Sequence, residues 1–163
     1  MASADAIFER LKDDHDRHRD LLARLAATSG DSAERRMLFS EFTREVKAHA
    51  AAEEQALYST MMRKPETTDE TRHSVAEHHE IEEALNDLAA TDMASGAWLQ
   101  KFKALRHDYL HHIEEEEDDH FPDFASLLTR EDERHMREVF DRRKRQEKTR
   151  AMVTPERAAD AKE

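Results

Sequence analysis

An all-α fold, an up-down-up-down four-helix bundle with an additional C-terminal helix, follows from three observations on the sequence. The 163 residues include only two Gly and three Pro, too few turn formers for a sandwich or barrel of many short strands. Apolar residues recur at steps of three and four through four successive segments, the period of one helix face. Short connections separate those segments, which makes neighbouring helices antiparallel. Charged residues make up 39% and hydrophobic residues 37% of the chain. That balance also suits a disordered chain, but disorder does not keep four stripes in period.

The first helix is expected from about Ser3 to Ala27, with Phe8, Leu11, His15, His18, Leu22 and Leu25 on one face and Thr28-Ser29-Gly30 stopping it. Asp31 and Glu34 then resemble a capping box. A second helix runs to about Arg63, its stripe being Phe39, Phe42, Val46, His49, Glu53 and Ala56, and Lys64-Pro65 break it. The third spans about Thr68 to Ala90 through Val75, His78, Ile81, Leu85 and Leu88. The fourth spans about Ala97 to His120 through Trp98, Phe102, Leu105, Tyr109, His112 and Glu116, and Pro122 is expected to end it. A fifth helix starts near Thr129 and runs to about Arg150 on a sparse apolar face of Met136, Val139 and Phe140. From Ala151 the chain reads as a solvated tail. Residues 1–125 thus form the bundle, and residues 126–163 the C-terminal helix and tail.

The formal net charge of −12 argues against nucleic acid as a partner. Arg134 to Arg150 goes against the trend, with eight Lys/Arg against three Asp/Glu. A basic helix of this kind covers an acidic bundle or solubilises it. The absence of Cys excludes disulfides, thiolate zinc sites and iron–sulfur clusters. No apolar run approaches the roughly 20 residues that span a bilayer, and the first residues lack the pattern of a secretory signal. A soluble, cytoplasmic protein with no membrane partner is the expectation.

A shift of 63 residues overlays the chain on itself. Asp14-His15 falls on Glu77-His78, His49 on His112, Glu53 on Glu116, Glu54 on Glu117 and Tyr58 on Phe121. Two helical hairpins therefore share one pattern. Leu on Leu is expected of any two aligned amphipathic helices; His on His and Glu on Glu along the apolar stripe are not. His15, His49, His78 and His112 supply one inward imidazole per helix, and Glu53 and Glu116 lie one turn beyond their histidines. Six such groups in a core must pair, protonate or bind metal. Imidazole and carboxylate suit iron, manganese or zinc. A His and an acid four residues apart are common in a chain with 11 His and 38 acidic residues. The conjunction of inward register, repetition and four matched helices is what points to a metal centre.

The runs HDRHRDLLARL (His15 to Leu25), HAAAEE (His49 to Glu54), Glu77-His78 and HIEEEEDDHFP (His112 to Pro122) resemble the hemerythrin-like, or HHE cation-binding, family over about residues 5–125. The resemblance implies a non-heme di-iron protein, with two Fe per chain joined by an oxo or hydroxo bridge. Carried over, Glu53 and Glu116 would bridge and His15, His49, His78 and His112 would be terminal ligands. It also implies O2, peroxide or another small diatomic as ligand, with catalase- or peroxidase-like chemistry as one use of it. A non-catalytic iron or oxygen sensor, or an iron store, is the alternative.

The oxygen-carrying members have a second His four before the third-helix ligand, where this chain has Ser74. Their fourth-helix acid is an Asp five after its His, where Glu116 is four after His112. A four-His, two-Glu site leaves more positions open and favours redox chemistry or iron handling over simple oxygen carriage. His18 and Glu77 are candidate additional ligands, and Glu77 and Asp14 could also orient the histidines they precede. Tyr109, one turn before His112, is the candidate catalytic side chain. His79 lies one residue off the stripe, and His73 with Glu77 reads as a surface pair. Tyr58 is expected toward the bundle end, and Glu54 and the run Glu115 to Asp119 as a solvated face. Two Glu-x-x-His strings, Glu70 to His73 and Glu117 to His120, are out of step with the 63-residue repeat, which ranks a ferritin-like carboxylate site low.

Overall fold

The computed structural model describes residues 7–151, all of them in helices or the turns between helices. Helix α1 is Ile7–Ala26. The second rod, α2, runs as α-helix through Ala33–Glu53, as a π turn through Glu54–Tyr58 and again as α-helix through Ser59–Met61. Helix α3 is Thr68–Ala89. The fourth rod, α4, repeats the pattern of the second: α-helix Gly96–Glu115, π turn Glu116–His120, α-helix Phe121–Ala125. Helix α5 is Arg130–Ala151. The expected start at Ser3 and the expected tail lie largely outside the described residues.

Local chemistry explains the breaks. Gly30 adopts a φ of +60°, a left-handed turn that a side chain disfavours. Ser32, not the Asp31–Glu34 pair, caps α2: its hydroxyl accepts from the Arg35 amide at 3.1 Å, while Asp31 takes the Arg36 guanidinium instead. Ser95 caps α4 in the same way through the Trp98 amide. At the head of α5, Thr129 and Asp132 exchange two amide hydrogen bonds, a capping box. Buried Arg35 ties the top of the bundle together, donating to Thr28 and to the Met93 carbonyl and stacking 4.4 Å over Trp98.

Pro122 does not end the fourth rod. It occupies the first turn of the α-helical segment after the π turn, a position that accepts Pro, and the rod continues through it.

The core is divided into two. One cluster joins Leu22, Phe39, Phe42, Ile81, Leu85, Trp98 and Phe102; the other joins Ile7, Leu11, Leu57, Phe121, Phe124 and Phe140. Along each rod the histidine and glutamate positions fall between residues of the two clusters, so a polar layer crosses the middle of the bundle. The α5 face was read as sparse. Met136 and Phe140 are nevertheless buried in the second cluster, and α5 packs chiefly on α2 and α1. None of the helices among the described residues is long and apolar enough to cross a membrane.

Candidate metal centre

The polar layer is built from two matching triads. His15, His49 and Glu53 bring one donor atom each to within 4.8 Å of one another, and so do His78, His112 and Glu116. All six side chains are buried. The 63-residue repeat survives in the geometry: the His15 and His49 rings lie 5.1 Å apart, and the His78 and His112 rings 5.0 Å. Each glutamate reaches histidines of both hairpins. Glu53 Oε1 is 3.8 Å from His49 Nε2 and 3.1 Å from His78 Nε2. Glu116 Oε1 is 2.7 Å from His112 Nε2 and 4.0 Å from His15 Nε2.

Every histidine turns Nε2 inward and Nδ1 toward a carboxylate. His49 Nδ1 meets Asp14 at 2.8 Å and His112 Nδ1 meets Glu77 at 2.9 Å. His15 Nδ1 meets Glu117 at 2.7 Å, and His78 Nδ1 lies 3.5 Å from Glu54. A carboxylate at Nδ1 fixes the tautomer that leaves the Nε2 lone pair for a cation. Asp14 and Glu77 therefore orient the histidine of the next helix, not the one they precede, and Glu77 sits behind His112, outside the two inner triads. Glu117, expected on a solvated face, holds His15, and Glu54, expected there too, stands near His78 Nδ1 without a hydrogen bond to it. Their coincidence under the 63-residue shift was the available signal.

The electrostatics show how the layer tolerates burial without cations. Burial, with the Glu116 carboxylate next to it, pushes the Glu53 carboxyl well up. Burial acts on Glu116 too, but the charge and hydrogen bond of His112 prevail and hold Glu116 well down. His112 is correspondingly pushed up to about 9: burial opposes its charge, and Glu116 and Glu77 outweigh it. The two carboxyls thus shift in opposite directions, and the His112 charge compensates the Glu116 carboxylate. On the first hairpin, burial lowers His49 to about 4 despite Asp14. Burial pushes Asp14 up, but the His49 N–H and the Lys144 and Arg10 charges hold it well below the usual carboxylate range.

Inward donors remain unmatched. His15 Nε2, His49 Nε2 and both Glu53 oxygens are buried without a hydrogen-bond partner. Buried polar atoms in that number call for a ligand, and lone pairs of neutral imidazole and carboxylate are the donors that borderline divalent cations take.

Tyr58 overturns its expected place near the bundle end. It is buried, and its hydroxyl donates to Glu116 Oε2 at 2.5 Å. The π turn explains the miss: Tyr58 is five residues after Glu53, off the stripe at 3.6 residues per turn but on it across an i→i+5 turn. His18 is buried with Nδ1 2.6 Å from the Tyr109 hydroxyl, and burial drives its pKa well below the ordinary value. It belongs to neither triad. Tyr109 is likewise pushed well up by burial and then by the Glu116 and Glu53 charges. It lies beside the layer, its ring 6.2 Å from that of His112. His79 is exposed and pairs with Glu83.

A groove of about 660 Å³ between α2 and α3 leads to this layer, its lining including Val46, Ile81, Leu85, His49, His78 and Tyr109.

The sequence profile of the Hemerythrin HHE cation binding domain matches residues 6–124. The crystal structure of a hemerythrin HHE cation binding domain-containing protein from Mycobacterium kansasii superposes with a TM-score of 0.80 at 22% identity, covering 89% of this chain and 88% of that one. None of the curated proteins compared matches the chain.

Proposed function

The chain belongs to the hemerythrin HHE cation-binding family, and from that premise we propose that its polar layer holds two iron ions and handles a small oxygen species, dioxygen or peroxide. His15, His49 and Glu53 would hold one ion, His78, His112 and Glu116 the other, with each glutamate placed to reach both. The observation that carries this reading is the set of inward nitrogens and oxygens left unmatched in a fully buried layer. Manganese or zinc would satisfy the same donors. Iron is preferred because it supplies, when bound, the redox exchange that a peroxide or dioxygen ligand requires.

The chain's own residues shape access and proton supply. The groove between α2 and α3 admits a small ligand past an apolar wall to His49 and His78. Tyr109 stands at its inner side with its hydroxyl proton shared with the neutral His18 Nδ1. Tyr58 Oη donates its own proton in a hydrogen bond to Glu116 Oε2. Net peroxide disproportionation, two H2O2 to O2 and two H2O, consumes and returns equal numbers of protons, so hydroxyls held at fixed atoms suffice.

Reconstitution with ferrous iron, metal analysis and an oxygen-electrode trace on adding peroxide test the reading. About two irons per chain and oxygen release are expected. No bound metal would overturn the centre. Two irons with slow peroxide consumption and no oxygen would replace the catalytic reading with a sensor or store. One contact favours that alternative: α5 reaches the layer through Lys144, whose ammonium bonds Asp14 2.8 Å away, and Asp14 holds His49.

A further inference from the structure

Outside the inner layer, the two Glu-x-x-His strings that the repeat left unexplained bring their histidines together. His73 on α3 and His120 in the π turn of α4 both face Glu115: His73 Nε2 is 3.1 Å and His120 Nε2 3.2 Å from the same Oε1. Glu77 adds a second carboxylate, 3.4 Å from His73 Nε2. His73, Glu77 and Glu115 form a third group of donors all within 4.8 Å of one another. We propose that this cluster is a separate, mononuclear site for a borderline divalent cation of the zinc, cobalt or nickel type. It lies outside the two inner triads, next to them through Glu77, which also meets His112.

Three observations carry it. The first is spacing. Nitrogen and oxygen donors about 2.0–2.1 Å from a tetrahedral ion stand about 3.3 Å apart, and the three separations here bracket that value. The second is burial. His120 is only 5% exposed, and its Nδ1 is fixed by the fully buried Ser74 hydroxyl at 2.9 Å, which aims Nε2 at Glu115. The hydrogen-bonded Ser74–His120 pair is buried, unlike a solvated face, and it resembles the oriented imidazoles of the inner layer. The third is the repeat. At the positions matching Ser74, Glu115 and His120, the first hairpin has Leu11, Ala52 and Leu57, all packed in the apolar cluster shared with α5. Donor residues thus replace core residues on the one hairpin that α5 leaves open. Glu70, three residues before His73, interacts with Asp119 and Asp123, and such an acidic group raises the local cation concentration.

The test is equilibrium dialysis of the full, iron-reconstituted chain against micromolar Zn(II), with iron and zinc counted separately. One zinc per chain beyond the iron is expected. His73→Ala and Glu115→Gln should each lose that zinc while iron content stays at the wild-type value, and the exposed control His79→Ala should keep it. Co(II) in place of zinc should give tetrahedral visible absorption that His73→Ala abolishes. Wild-type protein with no additional zinc, or His73→Ala retaining it, would overturn the proposal, as would loss of the zinc in His79→Ala. Should the inner layer take no iron, the zinc difference between wild type and His73→Ala still decides the outer site.

Discussion

The two hairpins carry the same carboxylate–imidazole units, yet their surroundings differ. In the first, Asp14 behind His49 is buried and takes Arg10 at 2.6 Å and Lys144 at 2.8 Å. In the second, Glu77 behind His112 is partly exposed and meets His73, the residue equivalent to Arg10. The first unit is locked by cations and roofed by α5; the second opens to solvent through titratable groups. Duplicated halves have thus diverged at the outer shell while keeping the inner one. The first hairpin is the more heavily anchored half and the second the more exposed one.

Breaking the inner pair should have the largest effect. In metal-free protein, Glu116→Ala leaves the His112 imidazolium buried beside Glu77 alone, and a cost of about 3–5 kcal/mol is expected. Glu53→Ala removes a carboxyl whose charge burial disfavours, so urea unfolding should show the smaller loss. Both variants should lose bound metal.

Removing the roof's anchor comes next. Lys144→Ala takes a partner from both Asp14 and Glu45, and a loss of about 1–3 kcal/mol is expected by the same measurement.

Acid should then separate the halves. Burial raises the Glu45 carboxyl, but its bonds to Lys148 and Lys144 prevail and lower it. A lowered folded-state value stabilises fully above the ordinary value of 4.5 and is lost as pH falls through the folded one. Hydrogen exchange along α5 should therefore rise before that of α3 as the pH drops below about 4. The smallest effect belongs to the open half: His73→Ala, at an exposed position, should alter stability by less than about 0.5 kcal/mol. Equal losses in Lys144→Ala and His73→Ala would erase the contrast between the hairpins.

Much of this was legible from residue order. Helical periodicity located the four rods, and the repeat singled out the six inward groups, because burial and duplication both leave marks in sequence. What escaped depended on geometry that periodicity does not encode. Glu54 and Glu117 look like surface acids until helix packing brings His78 and His15 against them. Tyr58 is misplaced by any count that assumes 3.6 residues per turn. Lys144 reads as one more charge in a basic run, although its stem crosses an apolar contact to reach Asp14 and Glu45. The preference of Ser32 over Asp31 as cap is a one-residue choice that neighbouring competitors obscure.

The widened turn at Glu54–Tyr58 has an evolutionary corollary. Such a turn accommodates one surplus residue inside a continuous rod, so a single-codon deletion there restores ordinary winding without opening a loop. Side chains beyond it keep their facing, because Tyr58 would then stand four residues after Glu53 on an ordinary turn and stay on the same face. A lineage could gain or shed the surplus residue in one step while the phenol and the scaffold on either side keep their places.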